Sequence, residues 1–300
     1  MEVNLSTRPA LVQLGLSAGK KARLYRILHE HGVRNGTAIF LPYDHGLEHG
    51  PRDFAGHPES GDPQHILRLA VEGGFNGIAL QIGLARKFFW EYAGEVPLVL
   101  KLNDKTDIPS PADPVSPVNA TVEEAVRLGA DAVGYTLYVG TPGQERDFAQ
   151  YLQVREDAER FGMPLIVWSY PRGAAIDAKG GRDSFYAVDY AARTASELGA
   201  DVVKVNFPQP AKQDGVPVAY RADFWPQQAI EAVVRSAGRS LLLVSGGEHA
   251  GDEAMLEKAR ESMEAGATGL IFGRNVFQRG HDESLRFVAH LKEILAKHPS

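Results

Sequence analysis

Apolar residues gather into eight short, nearly unbroken runs: AIFLPYDHG from Ala38, GIALQIG from Gly77, LVLKLND from Leu98, AVGYTLYVG from Ala132, LIVWSYPRG from Leu165, VVKVNFP from Val202, LLLVSGG from Leu241 and GLIFGRN from Gly269. The starts run from 38 to 269 in seven steps, 33 residues on average, close to the ~30 or more of a βαβ repeat. The runs are too short for buried helices. Their continuous apolar character is that of strands covered on both faces. Between them lie helical patterns such as VEEAVRLGA from Val122, YAARTASELGA from Tyr190 and KARESMEAGA from Lys258, each followed by glycine at Gly129, Gly199 or Gly266. Glycine just past the last turn predicts a left-handed cap, after which the chain re-enters a strand. Eight such units predict an α/β fold of the (β/α)8 TIM-barrel type rather than an open, doubly wound sheet.

Residues 1–36 precede the first strand and carry a basic amphipathic stretch, KKARLYRILHEHGV, from Lys20. Its short length and mixed charge suit a helix across the closed bottom of the barrel better than a helix on a membrane surface. The division read from the sequence is an N-terminal helical extension, 1–36, and a single barrel domain, 37–300. The proline-rich segment from Asp107 to Pro117 reads as a long loop after the third strand.

Composition narrows the chemistry. With 300 residues, 44% hydrophobic and 23% charged, the chain can bury a large core. It contains no cysteine, which removes disulfides, thiolate metal sites and a cysteine nucleophile together. The N-terminus lacks the basic stretch and long apolar run of a secretory signal, so a cytoplasmic location is expected. No apolar run approaches the ~18 residues of a membrane span, and a net charge of −6 argues against a broad nucleic-acid footprint. A small-molecule substrate is the expectation.

In a barrel the chemistry sits at the C-terminal ends of strands, which turns the strand pattern into candidates: Asp44 and His45, then Lys101, Asn103 and Asp104, then Trp168 and Tyr170, Lys204 and Asn206, Ser245 to Gly247, and Gly273 and Arg274. Lys204 stands within VVKVN and, with a side-chain period of two, shares a face with Val202 and Asn206. If that face looks inward, desolvation frees the neutral amine needed to attack a carbonyl. An unperturbed lysine is only about 0.04% neutral at pH 7, and lowering its pKa to about 7.5 requires about 4 kcal/mol. A lysine snorkelling from a strand end is the plainer alternative. Lys101, in LVLKLND, has the same setting. It is either the rival amine or a substrate-positioning, charge-pairing group that depresses Lys204, and the sequence does not rank the two.

Ser245-Gly246-Gly247 and Gly273-Arg274 follow strands seven and eight, where barrel enzymes hold phosphate on bare backbone N–H groups, with arginine adding a bidentate cation. His45, Glu48 and His49 spell H-x-x-E-H, which on a helix can bind zinc. Gly46 and the following Gly50-Pro51 are poor helix residues, so no metal site is expected. Asp44 reads as a carboxylate acting on a substrate hydroxyl, or as a turn cap. Tyr170 reads as an acid/base group near a cationic imine, or, with Trp168, as an aromatic pair closing the core.

Taken in order, DHGLEHGP, KLND, GYTLYVG, WSYPRG, GADVVKVNFP, SGG and GLIFGRNVF resemble the archaeal-type class I fructose-bisphosphate aldolases, the DhnA-type family, over about residues 38–280. The resemblance implies reversible cleavage of fructose 1,6-bisphosphate to dihydroxyacetone phosphate and glyceraldehyde 3-phosphate through a lysine imine, without metal or other cofactor. It assigns the imine to Lys204, the catalytic tyrosine to Tyr170, a site-lining role to Trp168 and the strand-one aspartate to Asp44. Phosphate binding falls on Ser245, Gly246, Gly247, Gly273 and Arg274. Arg172, Lys101 or Lys105 would reach a second phosphate. Glu248, in SGGEHAGD, departs from the small or basic residues of relatives and bears on one phosphate contact. The expected partner is a phosphorylated sugar, with no nucleic acid and no membrane, in a homo-oligomer. Other readings are a lysine-dependent thiolase or transaldolase-like synthase, a metal-dependent aldolase using His45 and His49, and a noncatalytic sugar-phosphate-binding barrel.

Overall fold

A computed structural model describes residues 8–109, 114–211, 215–221, 226–247 and 251–300. Eight parallel strands close into one barrel in sequence order: β1 (Ala38–Tyr43), β2 (Gly77–Gln81), β3 (Leu98–Lys101), β4 (Ala132–Val139), β5 (Leu165–Pro171), β6 (Val202–Asn206), β7 (Leu241–Ser245) and β8 (Gly269–Ile271). Each strand begins at the residue where its apolar run begins. The fold is the (β/α)8 TIM barrel.

Period-two alternation sorts the strand residues into two cores. Ile39, Leu41, Ile78, Leu80, Val133, Val203, Val205 and Val244 face the surrounding helices, whereas Phe40, Ala79, Val99, Ala132, Ile166, Trp168, Val202, Leu243 and Ile271 fill the barrel. Lys204 is on the face of Val202 and therefore points inward, as the alternation predicts. Register sets its neighbours: Lys204 pairs with Trp168 and Leu243, Lys101 with Gln81 and Gly134, and Asn206 with Ser245. Gly134 makes this layer possible, because a Cβ there would lie 2.7 Å from the Trp168 ring and 3.1 Å from Lys101 Cδ.

Among the outer helices, Val122–Arg127, Phe185–Glu197 and Asp252–Glu264 contain or overlap the three helical patterns of the sequence. Gly129, Gly199 and Gly266 have φ of +70°, +96° and +95°, the left-handed caps expected of them. The N-terminal segment folds as helix α1 (Ala18–Tyr25) continued by a π turn, Arg26–Glu30. Leu24, Ile27 and Leu28 pack into the barrel-filling cluster, so the segment plugs the end opposite the strand C-termini. No helix among the described residues is long and apolar enough to cross a membrane.

One local expectation fails. The segment after β1 forms a helical turn, α2 (His45–Glu48), and then a 3-10 turn over Gly50–Phe54. His49 N–H donates to the His45 carbonyl at 2.8 Å, and Gly46 lies against Phe54, where a Cβ would make only ordinary contact at 3.5 Å. Gly50, at φ +72°, ends the turn. Tertiary packing overrides the weak helix propensity.

Candidate active site

The C-terminal rim of the barrel encloses a cavity of about 290 Å³. Its wall includes Asp44 from the end of β1, Lys101 from β3, Trp168 and Tyr170 from β5, Lys204 from β6, Ser245, Gly246 and Gly247 from β7, and Gly273 and Arg274 after β8. Of the other candidates from the sequence, His45, Arg172 and Asn206 border the same space, whereas Asn103, Asp104 and Lys105 do not.

The two inward lysines differ in their partners. Lys101 Nζ lies 3.3 Å from Asp44 Oδ2 and 3.7 Å from Asp104 Oδ2, and 5.1 Å from the centre of a Trp168 ring. Burial works against its charge, but Asp104, Asp44 and Glu48 outweigh burial and raise its pKa, so it stays an ammonium. Lys204 Nζ hydrogen-bonds to the Tyr170 hydroxyl and sits 4.1 Å from the centre of that ring. Among the described residues no carboxylate comes within 4.0 Å of it. Burial lowers its pKa, Asp44 opposes, and Arg172 and Lys101 lower it further, to about 7. The amine that the sequence could not choose is therefore distinguished by its surroundings: near neutrality a large fraction of Lys204 is uncharged, whereas Lys101 is held charged beside it.

Tyr170 is raised well above the ordinary tyrosine value by burial and by the carboxylates of Glu48 and Asp44. It is therefore a neutral phenol. A cation on the Lys204 nitrogen would pull in the opposite direction. Arg172 Cζ is 4.8 Å from the Tyr170 ring centre. Burial would raise the Asp44 carboxyl, but Lys101, His45 and Lys204 hold it below the usual carboxylate range.

On the opposite wall Gly247 adopts φ +72°, and a Cβ there would meet no atom within 4 Å, leaving the Gly246-Gly247 backbone bare toward the cavity. A Cβ on Gly273 would fall 2.5 Å from His45 Cε1, so only glycine fits between this turn and α2. Ser245 Oγ donates to Asn206 Oδ1 at 2.8 Å, and Asn206 Nδ2 donates to Asp183 Oδ1 at 2.6 Å. Glu248 lies outside the described residues.

Asn103 is structural. Its amide donates to the carbonyls of Ser116 and Thr136 and accepts from the Thr136 N–H, tying β3 to β4. In the H-x-x-E-H segment, His49 Nδ1 is 2.7 Å from Asp53 Oδ2, Glu48 is 3.6 Å from Lys105 Nζ, and burial lowers the His45 pKa to about 4. Among the described residues no group of three or more His, Cys, Asp or Glu is arranged to hold a metal ion. Sequence reasoning missed Arg52, Asp53, Arg182, Asp183 and Asn275, which also border the cavity. Arg52 and Asp53 stand in the 3-10 turn after α2, Arg182 and Asp183 in the loop after β5, and Asn275 in a short helical turn after β8, where no periodicity marks direction. The glycines preceding Arg182 are the only local hint of a turn toward the site.

The family model for DeoC/LacD family aldolases matches residues 38–279. A fructose-bisphosphate aldolase class 1 of Thermoproteus tenax is 43% identical over 264 residues, covering 88% of this chain and 91% of the relative. A Methanocaldococcus jannaschii protein named fructose-bisphosphate aldolase/6-deoxy-5-ketofructose 1-phosphate synthase is 30% identical over 292 residues, 94% of this chain and 89% of the relative. Among solved structures, an archaeal fructose-1,6-bisphosphate aldolase with its catalytic lysine covalently bound to the carbinolamine intermediate superposes with a TM-score of 0.77 at 40% identity, covering 91% of this chain and 99% of the other.

Proposed function

The chain belongs to the DeoC/LacD aldolase family, and from that premise we propose that it is a class I fructose-bisphosphate aldolase, an aldehyde lyase in which Lys204 forms the imine. The observation that carries the assignment to Lys204 is its buried amine, lowered to about 7, hydrogen-bonded to Tyr170 and without a carboxylate partner among the described residues.

The neutral Lys204 amine attacks the C2 ketone of fructose 1,6-bisphosphate. Tyr170, a neutral phenol, donates its proton to the carbinolamine hydroxyl, which leaves as water and yields a cationic imine. The phenoxide then takes the proton of the C4 hydroxyl as the C3–C4 bond breaks. Glyceraldehyde 3-phosphate departs, and the bonding electrons flow into the imine to give an enamine of dihydroxyacetone phosphate. Protonation of that enamine and hydrolysis of the imine release the second product and free the amine. Asp44 provides the anion that favours the cationic imine. Trp168 and Lys101 line the substrate chamber. Ser245, Gly246, Gly247, Gly273 and Arg274 bind one phosphate through backbone N–H groups and a guanidinium, and Arg172 or Lys105 meets the other.

Cleavage of fructose 1,6-bisphosphate, followed by coupling to triose phosphate oxidation or isomerisation, tests the reading. Turnover that EDTA leaves unchanged is expected, and absence of cleavage refutes it. A second reading, a related lysine-dependent synthase on another phosphorylated keto compound, draws on the double name of the Methanocaldococcus relative and is separated by a substrate screen. The same proposal takes 1–36 as an extension on a barrel domain, 37–300, in a cytoplasmic homo-oligomer. The absence of cysteine suits a reducing compartment, and Trp90, 70% exposed, suits cover by a second copy.

A further inference from the structure

Behind the cavity wall a chain of polar groups runs inward from the exposed Asn119 to the buried Gln81 and Asp104, none of which borders the substrate chamber. Asn119 Nδ2 donates to Gln81 Oε1 at 3.1 Å, and Gln81 Nε2 donates to Asp104 Oδ2 at 2.7 Å. Asp104 Oδ1 accepts from the Lys105 backbone N–H at 2.9 Å. The same carboxylate faces Lys101 Nζ at 3.7 Å, and Lys101 in turn faces Asp44 at 3.3 Å. Asp104 is 5% exposed and Lys101 1%. Asp104 itself does not border the cavity.

We propose that Asp104, held by Gln81 and Asn119, is a positioning residue of the reaction: it shares the Lys101 ammonium with Asp44, so that Asp44 retains an uncompensated part of its negative charge for the nitrogen of Lys204. The inference rests on the imine reading of Lys204.

The charges make the case. A buried ammonium with a single carboxylate partner neutralises it, and Asp44 would then have little field left for a cation forming elsewhere. Two carboxylates on one ammonium leave the group with one net negative charge while the Lys204 amine is neutral. Formation of the cationic imine brings that net charge to zero in a desolvated setting, where such balance matters most. Register supports the arrangement, since Gln81 and Lys101 are directly paired on β2 and β3, and the Gln81 amide can therefore reach the carboxylate three residues beyond Lys101. The charged groups around Asp104 are Lys101 at the end of β3, Asp44 after β1 and Glu48 on α2; burial and the two carboxylates hold its pKa up at about 6, with Lys101 and the Lys105 N–H opposing.

Asp104→Asn keeps the shape and an oxygen for Gln81 while removing the charge. The account expects kcat for aldol cleavage to fall about tenfold with KM changed less than about twofold. It also expects the acidic limb of the kcat/KM profile to move to lower pH by about half a unit or more, because losing a nearby anion disfavours the Lys204 ammonium. A merely structural role would lower the melting temperature and leave that limb in place. Gln81→Met, which deprives Asp104 of a donor, moves the limb in the same direction by a smaller amount and keeps the test open if Asp104→Asn folds poorly. Borohydride reduction with dihydroxyacetone phosphate separates the two failures. An adduct on Lys204 in wild type with an unmoved limb in the folded variants overturns the role of Asp104 alone, whereas an adduct elsewhere overturns the imine reading beneath it.

Discussion

Two ends of the same barrel each bury a lysine, and they treat it in opposite ways. At the closed end, Lys20 of α1 is 4% exposed and lies 2.9 Å from both Glu159 Oε2 and Asp201 Oδ2. Burial works against its charge, but the two carboxylates outweigh burial and raise its pKa. At the open end, Lys204 is 5% exposed, but its contacts are a phenol and, further off, the cations Arg172 and Lys101, and its pKa falls to about 7. Burial alone therefore does not make a nucleophile. Withholding the counter-ion does, and the ion pairs that would tie Lys204 down are given instead to Lys101.

The comparison breaks most visibly at Lys204. Lys204→Met should lower aldol cleavage by at least about a thousandfold without a large change in melting temperature, since it removes the attacking group and relieves a desolvated amine. Retained turnover would transfer the role to another amine. Lys20→Met should do the reverse. It leaves Asp201 buried without its cation, which costs about 3 kcal/mol, the low end for a broken buried pair because Glu159 is exposed; chemical denaturation would show the loss, with kcat per folded enzyme unchanged. Tyr170→Phe should lower kcat about a hundredfold, the scale of one proton-transfer group. It should also slow the trapping of a reducible imine, since the phenol protonates the departing carbinolamine hydroxyl, and trapping at the wild-type rate would mean that the tyrosine acts only after the imine forms. The smallest expected effect is graded rather than abrupt. Below the Lys204 pKa of about 7 only the neutral fraction attacks, so kcat/KM should fall about tenfold per pH unit as pH drops. A profile flat down to pH 5 would contradict a free amine in the resting enzyme.

Much of this contrast was legible in the sequence, and the part that was not has a physical reason. Strand periodicity located β6, sent Lys204 inward with Val202, and put Lys101, Tyr170 and the Ser245-Gly246-Gly247 turn on the same rim, because alternation in a strand and the closed parallel barrel fix direction without further information. The same pattern says nothing about which inward lysine keeps its proton. That depends on Asp44, from a strand two positions around the barrel, and on Asp104, beyond the end of β3; both point at Lys101 only after closure. The helical turn at His45–Glu48 was hidden by Gly46, whose weak helix propensity is overridden by tertiary packing. Arg52, Asp53, Arg182 and Asp183 reach the cavity from loops whose paths no hydrophobic period encodes.

The central claim is that one lysine of the three described in these two regions is the covalent catalyst, and it is tested most directly by reducing the enzyme with borohydride in the presence of dihydroxyacetone phosphate and mapping the modified peptide by mass spectrometry. The account predicts a single adduct on Lys204. An adduct on Lys101 or Lys20, or none at all, would contradict it.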